Sequence, residues 1–142
     1  AEYGIDDIEG VVADATDLQA TLGERTFDFV FIDAPCSGLG TLRRHPEIRW
    51  RLTLDHVKEL ARTQLALLRS AAQCVSPDGT LAYATCTVTR QENIQVVKAF
   101  LESPEGRAFR LAPIGGKSCF APLLEPGSPD AHFAVTFRRV SE

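Results

Sequence analysis

Methionine is absent from the 142 residues, tryptophan occurs once and tyrosine twice. No apolar run approaches the roughly 18–20 residues that a membrane helix requires, and no charged-then-apolar leader opens the chain. A membrane span and a secretion signal are thereby excluded from this segment. Cysteine is sparse: Cys36, Cys74, Cys86 and Cys119 show no CxxC or other metal-ligand spacing, which argues against a structural metal. With 44% apolar residues the chain has no need of disulfide staples, so reduced thiols in a cytoplasmic protein are the expectation. Internal repeats and low-complexity tracts are lacking too. A positive excess is missing, the net charge being -4, so the overall balance does not invite nucleic acid.

Charge is nonetheless uneven. Residues 1–30 carry eight acids against the single base Arg25, whereas 43–51 carry Arg43, Arg44, Arg49 and Arg51 against Glu47 alone. A local basic patch of this kind matters more than the net figure. The chain also begins mid-pattern, with AEYG, and reads as a fragment of a longer protein.

The organising stretch is residues 27–50, FDFVFIDAPCSGLGTLRRHPEIRW. Phe27, Phe29, Val30, Phe31 and Ile32 form a continuous apolar run too short for a helix, which predicts a strand at 27–32 buried on both faces. Pro35, Gly38 and Gly40 end it abruptly. In open parallel sheets ligands bind beyond the carboxyl ends of strands, where Asp33 and Cys36 fall. A second short strand at 80–85 ends the same way, at Cys86. Two strand ends therefore each deliver a thiol.

The remaining elements follow from periodicity and punctuation. Ala1 to Gly4 reads as a helix tail, 8–13 as a short strand ending at Asp14, and 17–25 as a weak helix closed near Gly23. Leu54 to Val75 reads as a long helix whose apolar stripe has one polar member, Gln64. Ser76-Pro77-Asp78-Gly79 fits a tight turn. Thr89 to Glu92 has the form of a capping box, predicting a helix over 90–101 with Ile94, Val97 and Phe100 or Leu101 inward. A short strand at 109–114, a long loop at 115–131 and a strand at 132–140 complete the chain. Alternating strands and helices predict an α/β domain with a mainly parallel sheet, finished by an antiparallel hairpin.

Asp33-Ala34-Pro35-Cys36, the Arg-Arg-His-Pro run after it, and Thr85-Cys86 leading into ATCTVTRQEN resemble the Sun/Fmu family of S-adenosylmethionine-dependent RNA cytosine-C5 methyltransferases, of the bacterial small-subunit ribosomal RNA methyltransferase B type. The similarity runs from about Val11 to Phe100. It implies a Rossmann-like methyltransferase fold, truncated at its N-terminal side, with residues 1–142 forming part of the catalytic domain. It also implies S-adenosylmethionine as cofactor and RNA, chiefly ribosomal, as partner. Cytosine C5 is too weak a nucleophile to attack a sulfonium methyl unaided, so a thiolate must first add to C6. By resemblance that thiolate is Cys86, Cys36 serves the release step, and Asp33 holds the N3/N4 edge of the base. Asp33 and Pro35 border the cofactor, Asp14 lies near its adenine, and Arg43, Arg44, Arg49 and Arg51 contact RNA phosphate.

Blander readings stand beside these. A strand-end cysteine is commonly a small buried hydrophobe, and Cys74 and Cys119 are expected to be no more than core or loop thiols. Asp14 reads equally as a turn or cap residue, the arginines as a solvated loop, and His45 as a loop residue. An exocyclic-amine methyltransferase is the nearest alternative, but its loop needs an aromatic where Cys36 stands and leaves Cys86 without a task. A non-catalytic RNA-binding module is the other. The family's glycine-rich cofactor loop, the acid that grips the ribose and the RNA-binding domain are expected upstream of Ala1, so the 142 residues alone are expected to be inactive. The strand at 27–32 then becomes a sheet edge, covered either by 8–13 swinging in or by a second copy of the chain. The second copy is the expectation.

Overall fold

The structure is a computed structural model, and it describes residues 7–117, 119–121 and 130–141. The helix tail expected at 1–4 and the greater part of the loop expected at 115–131 lie outside the described residues.

The described residues form an α/β fold on a mixed four-stranded sheet. Helix α1 (Leu18–Leu22) is capped by the Asp17 side chain, which accepts from the Ala20 amide, and closes at Gly23 with φ 61°. Strand β1 (Phe27–Asp33) runs parallel to β2 (Val75–Thr85). Between them lie the single turn α2 (Ile48–Arg51) and the long helix α3 (Leu54–Ala72), whose N-terminus is capped by Thr53 accepting from the His56 amide. Helix α4 (Ile94–Glu102) follows β2, and an antiparallel hairpin of β3 (Phe109–Ala112) and β4 (Phe133–Arg139) closes the sheet in the order β1-β2-β4-β3. Its parallel pairing is β1 with β2; β4 runs antiparallel to both its neighbours.

The core lies between the sheet and the two long helices. Leu68, Ala71 and Ala72 of α3 and Val96, Val97 and Phe100 of α4 pack on Leu81, Tyr83, Val135 and Phe137. Phe100 meets Phe137 edge-on at 5.1 Å between ring centroids, a favoured aromatic geometry.

Several expectations are corrected. The strand at 8–13 does not form: Ile8 and Val12 stand 73% and 100% exposed, because a strand needs a ladder partner and no described strand lends it one. Strand β1 is where it was expected, at a sheet edge, but it is not buried on both faces. Val30 and Ile32 pack against the core, while Phe29 and Phe31 are about 60% exposed on the uncovered face. Helix α3 stops at Ala72, and Val75, the last member of its apolar stripe, opposes Phe27 as the first residue of β2. The turn at 76–79 is a bulge inside β2: Phe27 pairs with Val75 and Phe29 with Thr80, and Asp78 takes φ 57°. Helix α4 starts at Ile94 rather than Arg90, and Val96 faces inward in place of the exposed Ile94.

Candidate active site

Parallel pairing places the carboxyl ends of β1 and β2 side by side. Asp33 lies opposite Ala84, and the Ala34 amide donates to the Ala84 carbonyl at 3.0 Å, so the loops leaving both strands start together. Gly38, with φ 70°, turns the first loop into a 3-10 turn at Leu39–Thr41. Gly40 fastens that turn: its amide donates to the Cys86 carbonyl at 2.9 Å, and its carbonyl accepts from the Ala131 amide at 3.0 Å. As a result the Cys36 and Cys86 sulfurs lie 3.2 Å apart, and the Cys86 amide donates to the Cys36 sulfur at 3.2 Å. Both side chains are partly exposed, whereas Cys74 is buried, as a core thiol should be.

The environment of Cys36 keeps it protonated. Burial first, and the hydrogen bond with Cys86 second, push its thiol up to about 12. Iodoacetamide should therefore label Cys36 more slowly at pH 8 than a free cysteine peptide, with the rate still climbing at pH 10. Peptide mass mapping checks this, and a Cys36 rate that levels off by pH 9 would contradict it.

Asp33 and Pro35 line a cavity of about 480 Å³ together with Ala15, Leu18, Val30, Ile32 and three residues of α3. The structure thus brings two of the three expected cofactor residues to one cleft. Asp14, next to Ala15, turns its carboxylate into its own loop instead, accepting from the Thr16 amide and hydroxyl at 2.9 and 2.7 Å. Those bonds hold its carboxyl below the usual range. The four arginines do not act alike. Arg44 is paired with Asp130, Arg49 lies 5.9 Å from the Trp50 ring centroid, and Arg43 is exposed. Arg51 lines another cavity, of about 160 Å³, with Ser37, Glu47, Ile48, Leu52 and His56. His45 is exposed and 3.4 Å from Glu47.

The family model described as 16S rRNA methyltransferase RsmB/F matches residues 2–118. The chain belongs to this family. Ribosomal RNA small subunit methyltransferase B of Vibrio cholerae is 48% identical over 82 residues, 57% of this chain and 19% of that protein. Its counterpart from Salmonella agona is 39% identical over 108 residues, 76% of this chain and 22% of that one. The chain thus spans about a fifth of the length of these curated relatives. Among solved structures, that of PH0851 superposes with a TM-score of 0.86 at 33% identity, over 96% of this chain and 32% of its own. NSun6 from Pyrococcus horikoshii, crystallised with SFG, an S-adenosylmethionine analogue, gives 0.78 at 25% identity, over 98% and 36%.

In this RsmB/F chain the site holds residues that motif reading passed over. Glu92, read as half of a capping box, is fully buried, and its carboxylate accepts from the Ser37 amide, the Gln64 side chain and three hydroxyls. Gln64, conspicuous as the polar member of an apolar stripe, donates to the Pro35 carbonyl at 2.8 Å as well as to Glu92. Tyr83 donates to the Glu92 carbonyl at 2.7 Å, and burial, then the Glu92 charge, raise its phenol. Asn93 accepts from Thr85 and donates to the Thr87 carbonyl, bracing the strand end that carries Cys86.

Proposed function

We propose that this chain carries the catalytic cysteines of an RNA methyltransferase that places a methyl group on cytosine C5, in ribosomal RNA, through a covalent Cys86–C6 adduct. The observation that carries the reading is the 3.2 Å approach of two thiols at adjacent strand ends, beside a cleft bordered by Asp33 and Pro35. A single nucleophile would not need a second thiol in contact. The cofactor is S-adenosylmethionine, which supplies the methyl group when bound. The apolar cleft suits the adenine side of such a molecule, with Asp33 and Pro35 at its rim and Asp14 nearby.

The roles are those that resemblance to the family assigns. Cys86 adds to C6, and Asp33 at the base edge stabilises the protonated ring that makes C6 electrophilic. Methylated C5 then gives up its proton to solvent water, the electrons of that C–H bond reform the C5–C6 double bond, and the Cys86 sulfur leaves as the thiolate. Cys36, retaining its proton, donates a hydrogen bond to that sulfur as negative charge develops on it. Arg51, beside Ser37, is the best placed of the basic residues for RNA phosphate; Arg43 and Arg49 extend the patch, and Arg44 joins only by leaving Asp130.

The test is a chimera that carries residues 1–142 in place of the matching segment of the Vibrio cholerae relative, given ribosomal RNA and S-adenosylmethionine. Nucleoside mass spectrometry should find 5-methylcytidine. A methyl group on the exocyclic amine would overturn the C5 assignment. The 142 residues alone should yield no product, since the glycine loop expected for the cofactor is not in their sequence. For that isolated chain the partner over the exposed Phe27, Phe29 and Phe31 edge is a second copy of itself. Light scattering should show the mass rising from one chain to two with concentration; a constant monomer mass would sink this.

A further inference from the structure

We propose that Glu92 is the positioning residue that sets the separation of the two catalytic thiols, by clamping the loop of Cys36 and the loop of Cys86 with one buried carboxylate. The proposal deepens the cytosine reading and rests on it for its catalytic consequence.

Ser37 follows Cys36 and Thr87 follows Cys86. Both are buried, and their hydroxyl oxygens lie 2.7 Å apart. Glu92 holds the pair from beneath. Oε1 accepts from the Ser37 amide at 2.7 Å and from Gln64 Nε2 at 3.1 Å. Oε2 accepts from the hydroxyls of Ser37 at 2.6 Å, Thr89 at 2.7 Å and Thr87 at 3.3 Å. Among the described residues no lysine or arginine forms an ion pair with it. A buried carboxylate without a cation is costly unless hydrogen bonds fill its lone pairs, and here five donors converge on the roughly four sites it offers.

A helix cap does not account for this arrangement. The side chain serves none of the amides of α4, which begins two residues later; it reaches instead into two loops that lie 55 and 5 residues away in sequence. Gln64 extends the clamp to the Pro35 carbonyl, on the other side of Cys36. Remove the carboxylate, and the Ser37 amide and three hydroxyls lose a buried acceptor. The loops then relax toward other partners, and the thiol gap opens.

The measurement uses the chain as it is, without RNA or cofactor. In glutathione buffers the Cys36 and Cys86 thiols become one disulfide as one glutathione disulfide becomes two glutathiones. The midpoint, read by peptide mass mapping, gives the effective concentration of one thiol at the other. Glu92→Ala should lower that value on the order of tenfold or more. Glu92→Gln should stay within about threefold, because its amide still accepts from the Ser37 N–H and donates to hydroxyl oxygens. Thr87→Val severs the arm to the Cys86 loop without changing its shape, and should lower the value by about threefold even if Glu92→Ala does not fold. Phe109→Leu, in the core beside Phe100, should lower the melting temperature and leave the value unmoved. An unchanged value in Thr87→Val, or in a folded Glu92→Ala, overturns the clamp. If these variants lose thiol coupling while the unmutated chimera forms no 5-methylcytidine, the clamp stands and the cytosine chemistry fails.

Discussion

Cys86→Ala is expected to abolish covalent capture of RNA containing 5-fluorocytidine, and Cys36→Ala to leave it intact. Fluorine at C5 blocks the elimination that frees the enzyme, so any protein that completes addition and methyl transfer stays attached. Cys86 makes the bond to C6; without it capture falls to background and methyl transfer drops on the order of a thousandfold or more. Cys36→Ala removes the hydrogen bond to the departing sulfur and not the nucleophile. Addition survives and release slows, so this variant should accumulate a complex even with ordinary RNA. In the chimera, denaturing gels with labelled RNA separate the outcomes. Capture lost in Cys36→Ala and kept in Cys86→Ala would reverse the two roles.

Gly40→Ala is expected to have the largest effect of any one-carbon addition in the site. A Cβ there would stand 2.0 Å from the Ala131 carbonyl oxygen and 2.8 Å from the Cys86 carbonyl oxygen. Both are backbone atoms, so relief requires moving the Cys86 strand end or the segment that leads into β4 rather than rotating a side chain. Overpacking of this kind costs about 1–3 kcal/mol and at times more. It also breaks the tie that brings the two cysteine loops together, so fluorinated-RNA capture should fall with stability. Urea denaturation reads the first effect and gel capture the second. Gly10→Ala, where a Cβ meets nothing within 4 Å, is the matched control. Equal stability of the two variants would show that the contact around Gly40 yields more readily than its backbone neighbours imply.

The parts of the fold that the sequence made legible are those set by local chemistry. An unbroken apolar run gave β1, apolar residues at helical spacing gave α3, and a proline and glycines marked where the Cys36 loop had to turn. Cys36 and Cys86 were readable because each sits just past a strand, where a parallel sheet opens its crevice. What escaped depends on distant parts of the chain. The residues of β1 suit burial on both faces, but whether a face is covered is decided by neighbouring elements, and here Phe29 and Phe31 are exposed. Val75 continued a helical stripe because periodicity cannot register where the backbone leaves the helix. Asp14 is a local case: its bonds to Thr16, two residues on, are those of the turn residue that the sequence also allowed. Glu92 satisfied a four-residue capping pattern, which hid its partners at Ser37 and Gln64. Gln64 was visible as an anomaly on an apolar face, and only the structure supplies its reason: it joins the Pro35 carbonyl to the Glu92 carboxylate.

The assignment of nucleophile and release group divides two thiols 3.2 Å apart. Burial and the neighbouring sulfur keep Cys36 protonated, so it is suited to donate rather than attack. The most direct measurement is tandem mass spectrometry of the digested complex between the unmutated chimera and 5-fluorocytidine RNA, reading which cysteine carries the methylated, fluorinated base. The account predicts the added mass on the peptide containing Cys86, with Cys36 unmodified. The same mass on Cys36 would contradict it.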